Sequence, residues 1–88
     1  MSAPRANETR HKRIAMRAWH RGTKEMDLIL GRFAEAHLAT LAPDQLDQFE
    51  ALMEQNDHDL YQWVTGRVAA PAPFAALIER IARHAGAR

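Results

Sequence analysis

An all-α fold, a compact bundle of about five short antiparallel helices, is what three features of this 88-residue sequence predict. Apolar residues recur at spacings of three and four in every segment, the period that gathers them on one face of a helix. No stretch alternates apolar and polar side chains over β-branched residues, as a half-buried strand would. Gly22, Pro43, Gly66 and Pro71 fall between the periodic segments, where such residues start or stop helices. At this length one domain, residues 1–88, accommodates the whole core.

The elements follow in order. About residues 1–7 are expected to be a flexible N-terminus. Asn7 can cap a first helix starting at Glu8, with Ile14, Ala15, Ala18 and Trp19 as its apolar stripe and a basic face opposite. That helix should stop near Arg21-Gly22, since glycine is a poor helix former and tolerates the backbone angles of a terminus. Thr23 is a candidate cap for the second helix, and Glu25 in its first turn complements the positive end of the helix dipole. Its core side reads Met26, Ile29, Leu30, Phe33, Ala34, His37, Leu38 and Leu41. Pro43 suits the first position of a third helix carrying Leu46, Phe49, Leu52 and Met53. Asn56 or Asp57 starts a short fourth helix with Leu60, Tyr61 and Val64, which Gly66 ends. Residues 67–73 form a proline-containing connector that resists helix. A fifth helix follows, with Phe74, Leu77, Ile78, Ile81 and Ala85 on its apolar side.

Composition excludes several kinds of chemistry. There is no cysteine, so no disulfide frame, thiolate metal site or cysteine nucleophile can operate. The five histidines show no H-x-x-x-H or H-E-x-x-H spacing, and no metal site is predicted. His37 reads instead as a hydrogen-bonded residue at the edge of the core. The hydroxyl side chains lie in no nucleophile elbow, the glycines are too scattered for a phosphate-binding loop, and no catalytic residue emerges. Acidic residues between 44 and 59 read as solubilising helix surface, and both tryptophans as core anchors. No apolar run approaches the roughly 20 residues that span a bilayer, and no secretory signal block is present, so no membrane insertion or export is expected.

Charge is nearly balanced, 12 basic against 11 acidic residues, yet it is segregated along the chain. Residues 1–24 carry a net +6, from seven basic side chains and Glu8; residues 25–66 carry −8, from nine acidic side chains and Arg32; the remainder carries +3. The favoured interpretation is of solvated faces that neutralise each other on folding, with a basic patch aimed at an acidic partner as the alternative. The acidic middle argues against a DNA-binding regulator, because it would repel a phosphate backbone. On spacing alone, Arg21 and Glu25 stand four apart across Gly22 and can form a surface ion pair at an ordinary cap, worth about 0–1 kcal/mol.

Two stretches read together add a resemblance. "RGTKEMDLILGRF" from Arg21 and "FEALMEQNDHDLYQWVTG" from Phe49 to Gly66 resemble the succinate dehydrogenase assembly factor family, which includes the FAD assembly factor SdhE. Its Arg-Gly-x-x-Glu signature is matched by Arg21, Gly22 and Glu25. A later D-x-D-L-Y-x-W-x-x-G pattern is matched by Asp57, Asp59, Leu60, Tyr61, Trp63 and Gly66. The resemblance covers about residues 10–66 and carries no function onto the last third.

It implies a five-helix bundle that binds the flavoprotein subunit of succinate dehydrogenase, often fumarate reductase as well, and promotes covalent attachment of FAD to a histidine of that client. Arg21, Gly22 and Glu25 would be the client-binding and flavinylation motif, with Arg17, Asp57, Asp59, Tyr61 and Trp63 as interface support. The chain would act as an assembly factor rather than an enzyme, hold no cofactor stably itself since FAD stays with the client, and be a monomer when free. The rival class is a helical protein-interaction module such as an antitoxin. Residues 1–24 look somewhat like a mitochondrial transit peptide, but cleavage there would remove Trp19, so a bacterial cytoplasm is expected over the mitochondrial matrix.

Overall fold

Five α-helices follow one another in a computed structural model that describes the backbone of residues 2–87 and the side chains of residues 8–87. They are α1 (Ser2–Trp19), α2 (Lys24–His37), α3 (Pro43–Met53), α4 (Asp57–Val64) and α5 (Ala72–Ala85), with a 3₁₀ turn, Leu38–Thr40, after α2. No strand occurs among the described residues, and the fold is the all-α bundle that the periodicity predicts. The longest packing seam joins α1 to α2, and α5 closes the bundle against α2, α3 and α4. None of these helices is long and apolar enough to cross a membrane.

Local chemistry explains most helix ends. Thr23 accepts a hydrogen bond from the Met26 N–H at 3.3 Å and Asn56 one from the His58 N–H at 2.7 Å, so each satisfies a first-turn donor that lacks a partner within its helix. Pro43 occupies the start of α3, and the Gln45 side chain reaches back to accept from the Ala42 N–H at 2.9 Å. Gly66 terminates α4 in the left-handed region, φ 79°, and the Arg67 N–H then returns to the Gln62 carbonyl at 3.0 Å.

Several expectations need correction. Helix α1 begins at Ser2 rather than at Glu8 after an Asn7 cap; Pro4 lies in its first turn, where a missing N–H costs nothing, and Ala3 and Ala6 favour helix. The expectation of a flexible N-terminus falls on residues 1–7, of which Met1 and all the side chains lie outside the described part. The other end of α1, at Trp19, falls near Arg21-Gly22 as expected. The proline connector is shorter than expected, because α5 starts at Ala72 and takes Pro73 into its first turn.

The core is a single cluster from all five helices, centred on the fully buried Phe33, Phe49, Ile14, Met26 and Leu30. Tyr61, expected on the apolar side of α4, is 38% exposed, while Trp63 fills the core as expected, stacked on Phe74 with ring centroids 6.2 Å apart. On α5 it is Ala82 that is buried while Ala85 is exposed. His37 is packed, with no side-chain hydrogen bond among the described residues: its ring lies 4.9 Å from that of Phe33 and 5.0 Å from that of His84.

Candidate functional site

Two turns meet at one end of the bundle, residues 20–23 between α1 and α2 and residues 54–56 between α3 and α4. Arg21 joins them. Its Nε donates to Asp57 Oδ1 at 3.0 Å, its Nη2 to the Gln55 carbonyl at 2.9 Å and its Nη1 to the Met53 carbonyl. Those carbonyls belong to the end of α3, where helical acceptors run out of intrahelical donors, and the planar guanidinium supplies them. Asp57 stands in the first turn of α4, where its charge also complements the helix dipole. Its second oxygen accepts from the Gly22 N–H at 3.1 Å, and Asp27 accepts from the Arg21 N–H. With side-chain exposures of only 13% and 16%, Arg21 and Asp57 form a largely desolvated clip.

This geometry revises the role of Arg21. The guanidinium does not pair with Glu25 across the glycine; it turns inward, with its donors engaged by the chain itself. Glu25 is exposed at the start of α2, with no hydrogen bond or ion pair among the described residues. Gly22 is exposed beside it. Its φ is not among the positive values, which occur among the described residues at Gly66 and Gly86, so no left-handed turn demands glycine there. A Cβ built on it would touch only Asp57 Oδ2, at an ordinary 3.5 Å. The fold therefore has room for a side chain at a position that carries none.

Around this clip the surface is concave. A cavity of about 380 Å³ is lined by Thr23, Glu25, Asp57, His58 and Tyr61. A broader one of about 600 Å³ shares Thr23, Asp57 and His58 with it and runs over Arg21 and Gly22. A third, about 390 Å³, continues from His20 and Arg21 to Met16, whose side chain is well exposed.

The other expected support residues divide. Tyr61 lines the first cavity. Arg17 borders the third while pairing with Glu54 and, at 4.0 Å, with Glu50 of α3. Asp59 is exposed on α4 but lines none of the three. Trp63, 8% exposed, supports the surface only from beneath, through the core. Sequence reasoning missed the contact of Asp57 with Arg21 and gave no role to Gly31, a buried glycine within α2. A glycine inside the most regular helix was the one available signal, since it is unfavourable there unless something packs against it. Among the described residues no group of three or more His, Cys, Asp or Glu side chains is placed to hold a metal ion.

Comparison with known proteins gives a consistent picture. The family described as flavinator of succinate dehydrogenase matches residues 12–85. The mitochondrial succinate dehydrogenase assembly factor 2 of Meyerozyma guilliermondii is 41% identical over 58 residues, 66% of this chain and 43% of its own length. Its counterpart in Mycosarcoma maydis is 39% identical over 70 residues, covering 80% and 29%. The FAD assembly factor SdhE of Acetobacter pasteurianus is 39% identical over 62 residues, covering 70% and 57%. The chain thus spans between 29% and 57% of the length of these relatives. No solved structure matches. Since the matched residues take in both turns of the concave surface, and extend past the quoted motifs through α5, this chain belongs to the family described as flavinator of succinate dehydrogenase.

Proposed function

We propose that this chain is an assembly factor that docks its Gly22 surface on the flavoprotein subunit of succinate dehydrogenase, with fumarate reductase as a related client, and promotes covalent attachment of FAD to a histidine of that subunit. The observation that carries the reading is Gly22 itself: exposed, free of any conformational demand for glycine, and with space for a Cβ that the chain leaves empty. A missing side chain that the scaffold does not need is explained by something outside it approaching the backbone closely.

The residues then divide their work. Arg21 and Asp57 hold the two turns rigid, a preorganisation that lowers the cost of docking. Glu25, charged and unpaired, is the group offered to a donor of the client. FAD stays with the client, and the covalent step proceeds with the client's own groups; docking selects the conformation in which flavin and acceptor histidine are aligned. The chain is a monomer when free and works in the bacterial cytoplasm, a placement supported by its bacterial relative. Arg10 and Arg17 of the basic face of α1 are engaged by Asp47, Glu50 and Glu54, which leaves less of that face to nucleic acid.

Gly22→Leu tests this directly. Co-expressed with the flavoprotein subunit, the variant is expected to leave the client without denaturation-resistant flavin fluorescence, while its own helical circular dichroism and Tm stay near those of the wild type. Unfolding of the variant, or undiminished flavinylation, overturns the reading.

A further inference from the structure

Gly31 lies within α2, a position where alanine is the better helix former, and its backbone is not in the left-handed region. Its neighbour supplies the reason for glycine. A Cβ built there falls 2.3, 2.5 and 2.7 Å from Cδ2, Cε2 and Cε3 of Trp19. These atoms are the middle of the indole, including its ring fusion, and cannot swing aside as the tip of a flexible side chain would. The indole therefore rests against the backbone of α2. Its Nε1–H donates to Glu35 Oε2 at 3.0 Å, one turn further along the same helix. Seat and hydrogen bond together fix the ring in both translation and rotation.

Trp19 is also the last residue of α1, and only His20 and Arg21 separate it from Gly22. Where the indole sits on α2 sets where α1 ends, and so where the turn carrying Gly22 begins. The hydrogen bonds of that turn, 3.0 Å from Arg21 to Asp57 and 3.1 Å from Gly22 to Asp57, leave little slack for displacement. We infer that Gly31 and Trp19 are positioning residues for the docking surface: the glycine seat holds the α1–α2 turn in the register that brings the Gly22 N–H onto Asp57. The inference deepens the docking function proposed above and rests on it for its functional consequence, though not for its geometry. Bringing a 2.3 Å approach out to ordinary contact takes a shift of about 1 Å, and a misplacement of that size in a reactive or binding constellation can cost on the order of a hundredfold. A close-packed seam passes such a shift on instead of absorbing it.

The test is a size-exchange cycle read at two places. Gly31→Ala, Trp19→Phe and the double variant are compared with wild type by hydrogen exchange of the Gly22 amide and by affinity for the flavoprotein subunit. Gly31→Ala is expected to keep its helical circular dichroism yet lose at least about tenfold in both readings. Trp19→Phe, which opens a gap and lacks the indole N–H, loosens the same amide. The double variant, with the new methyl filling that gap, recovers most of both losses, the non-additivity expected of residues in contact. Unchanged Gly22 protection in Gly31→Ala, or a double variant as impaired as the worse single one, overturns the seat. Should Gly31→Ala not fold, Trp19→Phe and the double variant decide the matter by the same amide. If the wild-type chain does not bind the flavoprotein, the docking function falls while the amide cycle still judges the geometry.

Discussion

Arg21, Gly22 and Glu25 are neighbours in sequence, but physical chemistry assigns them different work. Arg21 is nearly buried and satisfies a carboxylate and two carbonyls, so removing its fork leaves acceptors without donors in a dry place. Arg21→Lys keeps the charge but not the planar multi-donor geometry. It is expected to cost about 2 kcal/mol, the scale of a hydrogen bond to a charged group. In a domain of this size that lowers Tm by roughly 8–16 °C in a thermal melt. Glu25→Ala should behave in the opposite way. It removes an exposed carboxylate whose structural contribution is its place at a helix N-terminus, less than about 1 kcal/mol. Its loss should appear instead as weaker binding to the flavoprotein in a titration, by about tenfold or more. Equal melting losses in the two variants would refute this division. Sequence alone named both residues but paired them with each other, because i,i+4 proximity is legible and a partner 36 positions away is not.

At the scale of elements, what could be read in advance was whatever local chemistry controls. Thr23 and Asn56 cap because their side chains reach donors two or three residues on, and Pro43 begins α3 because it lacks a donor anyway. The start of α5 was misplaced for the same reason in reverse: Pro73 read as part of a break, yet it falls in a first turn, where it is tolerated; α1 was started too late because Asn7 read as a cap. On α4 the burial of Trp63 was legible as a core anchor, whereas the exposure of Tyr61 was not, since a tyrosine on a short helix fits either face. Gly66 is the terminator whose conformation cannot be replaced cheaply. At φ 79° a Cβ is strained, so Gly66→Ala is expected to destabilise the domain by about 1–2 kcal/mol, read as a lower denaturant midpoint with unchanged slope. A midpoint equal to that of the wild type would show that the α4–α5 connection relaxes without cost.

Over the whole molecule, the segregated charge of the sequence resolves into contacts. The basic face of α1 meets the acidic face of α3 through Arg10 with Asp47 at 2.6 Å and Glu50 at 2.5 Å, and through Arg17 with Glu54. For Arg10 and Arg17 this is the mutual neutralisation that the sequence favoured; Lys12 and Arg13 on the same helix stay exposed with no ion pair among the described residues. The surroundings of His37, where α2 meets α5, are the exception, because the groups acting on it are basic. His37 on α2 faces His84 and Arg80 of α5, with the Arg80 guanidinium 5.9 Å from the centre of the Phe33 ring. Burial first, then the charges of His84 and Arg80, hold the His37 pKa below its ordinary 6.5. A histidine lowered in the folded state takes up its proton first in the unfolded chain. Its contribution to stability is complete above about pH 6.5 and is lost as pH falls from there through the folded value. His37→Phe keeps an aromatic ring against Phe33 and removes the proton-binding group. Compared by denaturant unfolding at about pH 7.5 and 5.5, the wild type should lose more stability on acidification than this variant does. Equal losses would mean that the basic surroundings of His37 carry no acid sensitivity and that α5 is held by its apolar face alone.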